Sequence, residues 1–336
     1  MIAGRQSCDP VRLFGDLVRS PASRLVLTGG GLLMETMNPK NLMEELAVRP
    51  VCGDGAMGTL LMARGMTSGA CGMAWNIDRP DDVKAIHEAY LAAGSRLITT
   101  NSFGGSRFVL DGHGRAADVH ALNLAAASVA RAVAGNDAWV LGDVGPCGDF
   151  LEPVGDLTED EVREAFREQI EALLEGGADA ILVETMSDPA EMVCGIEAAL
   201  SCNPEIPVVA TYAFQKTAGG EFRTMMGTKV DEAIRRAVDA GAKIVGANCG
   251  SALDLDDYVS LCSEIAAAAG DARVIIQPNA GAPQQVNGRT LYLATPEQMA
   301  TTAERLMDAG AHIVGGCCGT TPAHIDAIAR SVAARG

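Results

Sequence analysis

The chain has 336 residues, 48% of them apolar and only 4% aromatic, which suits helices packed on a parallel sheet better than a β-sandwich. Its formal charge of −17 argues against nucleic acid and against an anionic membrane surface, and no apolar run reaches membrane-spanning length. Ten cysteines without a secretory signal (Leu25–Leu33 is broken by Thr28 and three glycines) imply thiols or metal ligands in a reducing compartment, by default the cytoplasm.

Residues 1–49 lie outside any repeat. Pro10, Pro21, Gly29–Gly31 and Pro39 punctuate them. They read as an N-terminal extension: a short helical appendage, a disordered leader, or upstream sequence with Met37 or Met43 as the natural start. From Pro50 onward one unit recurs, a short β-branched or apolar run followed by an amphipathic helix. The pattern predicts strands at Pro50–Asp54, Arg96–Thr100, Ala138–Asp143, Ala180–Glu184, Pro207–Thr211, Lys243–Asn248, Arg273–Pro278 and His312–Gly316. Helices begin near Asp81, Ala116, Thr158, Pro189, Lys229, Asp254, Pro296 and Pro322. Thr158, three residues before Glu161, makes a capping box, and Pro189, Pro296 and Pro322 occupy first-turn positions. Gly94, Gly177, Gly241 and Gly310 each close a helix where a left-handed cap is needed before the next strand. Eight consecutive βα units favour a single (β/α)8 TIM barrel over residues 50–336 with a short N-terminal extension; an open doubly wound sheet is the alternative.

A barrel of this kind gathers its chemistry at the carboxyl ends of the strands. Asp54-Gly55 leaves the first strand, Thr99-Thr100-Asn101-Ser102-Phe103 the second, Asp143-Val144-Gly145-Pro146 the third and Glu184-Thr185 the fourth. Asn248-Cys249-Gly250 leaves the sixth, Pro278-Asn279-Ala280-Gly281 the seventh, and Gly315-Gly316-Cys317-Cys318-Gly319 the eighth. Three cysteines flanked by glycines thus converge on one face. Thiolate is the preferred protein ligand of zinc, and a catalytic zinc keeps three protein ligands and one open position. Cys249, Cys317 and Cys318 are therefore candidate metal ligands. A redox pair is the competing reading, although adjacent cysteines lack the usual two-residue spacer. The remaining cysteines read as small buried hydrophobes.

These segments carry a resemblance. Asp54-Gly55-Ala56-Met57-Gly58-Thr59, Gly246-Ala247-Asn248-Cys249-Gly250 and Gly315–Pro322 resemble the homocysteine S-methyltransferases, and the likeness runs from about Pro50 to Arg330. That family includes the homocysteine-binding domain of cobalamin-dependent methionine synthase and betaine–homocysteine methyltransferase. The resemblance implies that Cys249, Cys317 and Cys318 are zinc ligands and that Asp54 and Glu184 hold the homocysteine ammonium, with Gly55 and Thr100 beside them. Asp143 is assigned a loop-orienting role rather than a substrate contact. Zinc coordination deprotonates a bound thiol, and the thiolate then takes a methyl group, giving methionine.

The methyl donor is not legible: betaine, S-methylmethionine, or a methyl-corrinoid or folate partner on a separate protein. A cationic donor calls for an aromatic cage, for which Trp75, Phe103, Tyr212 and Phe214 are the candidates. Gly104, where the betaine enzyme's resembling segment carries tyrosine, weakens that option. Two alternatives remain: a zinc- and thiol-binding subunit of a corrinoid complex, or a methyltransferase for another thiol or a selenol. Oligomeric state, including a homo-oligomer, is left open.

Overall fold

This computed structural model describes residues 41–251, 253–286 and 289–335, together with the short strands at 26–28 and 31–33. Eight parallel strands form the central sheet. They are β1 (Val51–Cys52), β2 (Leu97–Thr99), β3 (Trp139–Val144), β4 (Ala180–Met186), β5 (Val208–Tyr212), β6 (Ile244–Asn248), β7 (Arg273–Gln277) and β8 (Ile313–Val314). From β2 to β8 each strand is hydrogen-bonded to the next in chain order, and β8 pairs back onto β1. Across the seam between β1 and β2, the Arg96 N–H donates to the Cys52 carbonyl at 2.8 Å. The sheet is a TIM barrel, and the open doubly wound alternative is excluded by the β8–β1 ladder.

Helices return the chain between strands, at Pro80–Ala92, Val119–Ala134, Glu159–Glu175, Pro189–Cys202, Val230–Ala240, Leu255–Ala268, Pro296–Asp308 and Pro322–Ala333. Their starts follow local chemistry. Thr158 and Glu161 complete the expected capping box, and Pro189, Pro296 and Pro322 occupy the first turn. Gly94, Gly177, Gly241 and Gly310 all have positive φ, between 96° and 115°, which only glycine adopts without cost. No helix among the described residues is long and apolar enough to cross a membrane.

Alternation along the strands sorts the core into two clusters. Cys52, Ile98, Val140, Ile181, Val183 and Val245 face the helices. Val51, Leu97, Leu141, Leu182, Val209, Ile244, Ile275 and Ile313 fill the barrel interior. Burying each such side chain stabilises the fold by roughly 1.5–3 kcal/mol.

The N-terminal boundary differs from the sequence reading. The compact units divide between Asn38 and Pro39 rather than at residues 49/50. A short helix, Leu42–Leu46, is capped by the Asn41 side chain, and Leu42 and Leu46 are buried with the interior cluster. This helix therefore plugs the amino end of the barrel. Five residues give too short a period to be read as an element from sequence. By itself, the upstream unit contains Val26–Thr28 paired antiparallel with Gly31–Leu33; the other residues before 41 lie outside the described residues.

Two hairpins interrupt the βα rhythm, Phe214–Lys216 with Phe222–Thr224 after β5, and Gln284–Val286 with Arg289–Leu291 after β7. Neither is anticipated by the repeat. Both stand at the carboxyl end of the barrel, where insertions build a mouth.

Candidate active site and metal centre

Above the apolar interior, the same inward faces turn polar. Leu97 is followed on its face by Thr99, Leu141 by Asp143, Leu182 by Glu184, Val209 by Thr211, and Ile275 by Gln277. Asp54, leaving β1, is 3% exposed. Its Oδ2 accepts the Thr99 N–H at 2.7 Å and its Oδ1 the Thr99 hydroxyl at 2.8 Å. Burial pushes the Asp54 carboxyl up to about 7, against the two Thr99 bonds that favour the ionised form. Glu184 is likewise held at about 7, chiefly by burial, while a hydrogen bond from Asp143 pulls it down. Asp143 stands well above the usual carboxylate range, first from burial and then from the charge of Glu184; it holds the proton these two share. Among the described residues, no Lys or Arg pairs with any of the three. Buried carboxylates without a cation invite one.

Alternation from Leu182 puts Glu184 on the inward face, and the ladder breaks around it. The register of β4 on β5 shifts between Val183 and Met186, and Thr185 takes φ 62°. A bulge of this kind is common beside functional sites. A β-branched residue with positive φ is strained, at a cost on the order of 1–3 kcal/mol. Cys249, leaving β6, has φ 53° and carries the same kind of strain.

The cysteines meet as expected. The sulfur atoms of Cys249, Cys317 and Cys318 all lie within 4.8 Å of one another. A tetrahedral zinc with Zn–S bonds of about 2.3 Å separates its sulfurs by about 3.8 Å, so this triangle can close on an ion with small side-chain rotations. Hydrogen bonds from Cys249 and then Cys317 hold the Cys318 thiol down at about 3, while the Cys317 thiol, donating first to Cys249, is raised well above its usual range. A metal bound here would displace the protons that these three coupled thiols share.

A scaffold of backbone bonds fixes the triangle. Asn279 Oδ1 accepts the Cys318 N–H at 3.0 Å, the Cys317 N–H donates to the Pro278 carbonyl at 2.8 Å, and the Gly316 N–H donates to the Asp54 carbonyl at 2.8 Å. The buried Tyr258 hydroxyl donates to the Cys249 carbonyl. Tyr292, from the segment after the second hairpin, donates its hydroxyl toward Cys318 and is raised by burial and by that sulfur's charge. Gly319 has φ 79°, and a Cβ there would stand 2.3 Å from Tyr292 Cβ, so the turn after the paired cysteines admits glycine only.

The other expected residues divide. Gly55 lies under Thr320 and Tyr90, where an added Cβ would fall 2.7 Å from Thr320 Oγ1; its smallness lets the β1 exit pass beneath the β8 loop. Thr100 is not brought to the carboxylates. Its hydroxyl bonds Ser102 Oγ at 2.6 Å and accepts the Asp143 N–H at 2.9 Å, fixing two strand exits. Thr99, one residue earlier, carries the hydroxyl at Asp54, and alternation from Leu97 is the signal that identifies it. Asn279 and Tyr292 were given no role by sequence reasoning, since only the folded loops bring them to the sulfurs. Of the four aromatic residues considered for a cage, Tyr212 and Phe214 are buried in the core and Trp75 is 9% exposed, with Arg79 stacked on its ring. Phe103 alone is open, at 44%.

With this geometry in view, comparison with known proteins is decisive at the level of family. The model described as homocysteine S-methyltransferase matches residues 51–332. The chain belongs to the homocysteine S-methyltransferase family. Methionine synthases of Mycobacterium tuberculosis and Mycobacterium leprae are 32% and 31% identical over 311 residues. Those alignments take in 87% of this chain but 25% of each relative, so the chain spans about a quarter of their length. The metallated form of the homocysteine methyltransferase MmuM from Escherichia coli superposes with a TM-score of 0.70 at 22% identity, over 87% of this chain and 99% of its own. A methyltransferase from Methanosarcina mazei gives 0.54 at 12% identity, over 85% and 94%. At these identities the structural likenesses bear on the barrel fold alone.

Proposed function

We propose that this barrel binds homocysteine at its mouth and catalyses methylation of the sulfur to give methionine, with one zinc ion on Cys249, Cys317 and Cys318. The observation that carries the reading is one mouth holding both a three-sulfur triangle and buried carboxylates that no Lys or Arg among the described residues partners. An amino-thiol supplies what each lacks. When bound, the zinc would keep the acceptor sulfur as thiolate near neutral pH, where a free thiol is mostly protonated.

The chain's own residues supply orientation. Asp54, held by Thr99, and Glu184, held in its bulge, would take the ammonium and thereby fix the reach of the side chain to the sulfurs. Asp143, hydrogen-bonded to Glu184, would help hold that carboxylate in place. For the donor, burial of Trp75, Tyr212 and Phe214 leaves Phe103 as the one open ring among the four candidates for a cationic cage. Several exposed apolar side chains, Met62, Phe103, Phe150, Val154, Met225 and Leu293, lie in segments that follow barrel strands in the chain. Apolar exposure on those segments favours a methyl-corrinoid or folate presented by another protein domain. Methionine synthases four times the length of the matched segment accord with it.

The test is a titration of thiols into cobalt-substituted protein, read by sulfur-to-metal charge-transfer absorption. Homocysteine is expected to add a fourth sulfur at lower concentration than cysteine or propanethiol. Glu184→Ala should weaken it by about 2–5 kcal/mol, the usual cost of breaking a charge-assisted contact, with metal content unchanged. Equal binding of propanethiol, or an unchanged Glu184→Ala titration, overturns the assignment.

A further inference from the structure

Asn248 closes β6 immediately before Cys249 and is 1% exposed. Its side chain bridges three strands. Oδ1 accepts the Thr211 hydroxyl of β5 at 2.9 Å and the Thr185 N–H of β4 at 3.1 Å. Nδ2 donates to Glu184 Oε2 at 2.7 Å and to Thr185 Oγ1 at 2.8 Å, and points toward Cys317 Sγ at 3.9 Å. The amide orientation is fixed by chemistry. A backbone N–H can only donate, so the atom facing Thr185 N must be the oxygen, and the nitrogen is left facing the carboxylate.

This placement matters because Glu184 stands in an irregular stretch of β4. Among the described residues no basic side chain pairs with its carboxylate; its partners are the Asp143 carboxyl and Asn248. The same amide bonds Thr185 through both N–H and hydroxyl, and so secures the left-handed residue that gives the bulge its shape. Asn248 thus grips Glu184 twice, at the carboxylate and through the backbone that carries it, from the residue adjoining a metal ligand. Aspartate would put a carboxylate oxygen against Glu184 Oε2, and alanine would leave Thr211, Thr185 and Glu184 without their shared partner.

We propose that Asn248 is the positioning residue that sets Glu184 for the substrate ammonium, and through it the preference of the site for amino-thiols over plain thiols. The proposal rests on the homocysteine reading above and deepens it. It separates Asn248 from a merely structural role, because a structural defect would weaken every thiol alike, whereas loss of Glu184's aim penalises only a thiol that carries an ammonium.

The experiment compares homocysteine with 4-mercaptobutanoate, the same chain without the amino group, in cobalt-loaded wild type, Asn248→Ala, Asn248→Asp and Thr211→Val. Wild type should prefer homocysteine. Asn248→Ala and Asn248→Asp should lose roughly 10- to 100-fold in homocysteine affinity, the range for a hydrogen bond to a charged group, with 4-mercaptobutanoate and metal content nearly unchanged. Thr211→Val, which removes one bond from the amide, should move homocysteine in the same direction by less, and it decides the matter if the Asn248 variants do not fold. Equal weakening of both thiols, or homocysteine binding that stays at the wild-type level, overturns the role of Asn248. A wild type with no preference between the two thiols overturns the homocysteine assignment, and this inference with it.

Discussion

Leu182 and Glu184 are neighbours on one face of one strand, yet they belong to two different kinds of matter. Leu182 joins an apolar layer with Leu97, Leu141, Val209, Ile244, Ile275 and Ile313, closed below by Leu42 and Leu46. Its members are chosen for volume. Glu184 joins a layer in which polar atoms are committed to named partners, backbone runs through positive φ at Thr185 and Cys249, and three carboxyls share a site without a cation. The lower layer produces stability and tolerates exchange of one hydrophobe for another. The upper one is held in place by the lower one and gives up stability to stay ready for a ligand. Substitutions in the two layers should therefore separate stability from binding.

The largest separation is expected at the sulfurs. Purified protein should carry about one zinc per chain, following the three-ligand pattern of catalytic sites. The double substitution Cys317→Ala/Cys318→Ala should abolish it, while Cys202→Ala, at a part-buried helix end, should leave it intact. Metal analysis decides this, and full zinc retention in the double variant would falsify the metal centre.

The converse break is at the foot of the barrel. Leu182→Ala opens a cavity in a fully buried layer and should cost about 2–5 kcal/mol of unfolding free energy. Folded Leu182→Ala protein should still bind metal and homocysteine as wild type does. Denaturant unfolding combined with the cobalt titration reads both. A loss of thiol affinity would show that the layers are mechanically coupled and that the contrast drawn above is too sharp.

The two layers also differ in how far the sequence discloses them. The strands of the lower layer are legible, because short apolar runs, helix caps and Ala-Gly closures are local signals that recur along the chain. The sulfur triangle was legible because Cys317 and Cys318 are adjacent and glycines flank all three cysteines. The resemblance points to Thr100 beside the ammonium site and is silent on Thr99, the threonine that meets Asp54, because a resemblance marks a segment while alternation decides which of two threonines points inward. Asn279 and Tyr292 reach Cys318 from another βα unit, through non-local bonds that no short window of sequence contains, whereas Tyr258 bonds Cys249 from the helix of the same unit. The Leu42–Leu46 plug was missed for the opposite reason: a helix of one turn has too short a period to announce itself, and its meaning lies in the layer it covers.

The smallest effect, and the one that best sharpens the contrast, is with pH. Burial raises the folded-state values of Asp54 and Glu184 to about 7 from ordinary values of 3.8 and 4.5. For a raised carboxyl, the contribution to stability is fully present below the unfolded value and is lost as pH rises through the folded one. These groups should therefore make the ligand-free protein less stable as pH rises through about 7. His87, buried without a hydrogen-bond partner and lowered by burial to about 4 from 6.5, has the opposite sign: its contribution is lost as pH falls through that window. Ligand binding reverses the carboxylate effect, because an ammonium needs them ionised. Homocysteine affinity should fall by about tenfold per pH unit for each carboxylate as pH drops below about 7. Deprotonation of the thiol on the metal contributes a slope of its own, so the decisive quantity is the ratio of homocysteine to 4-mercaptobutanoate affinity, in which the thiol term cancels. That ratio should shrink between about pH 8 and about pH 6, as protonation removes the ammonium's partners. A ratio that stays constant across this range would mean that the carboxylates are ionised throughout, held so by partners other than the ones seen here, and that the upper layer is less poised for a cation than its burial implies.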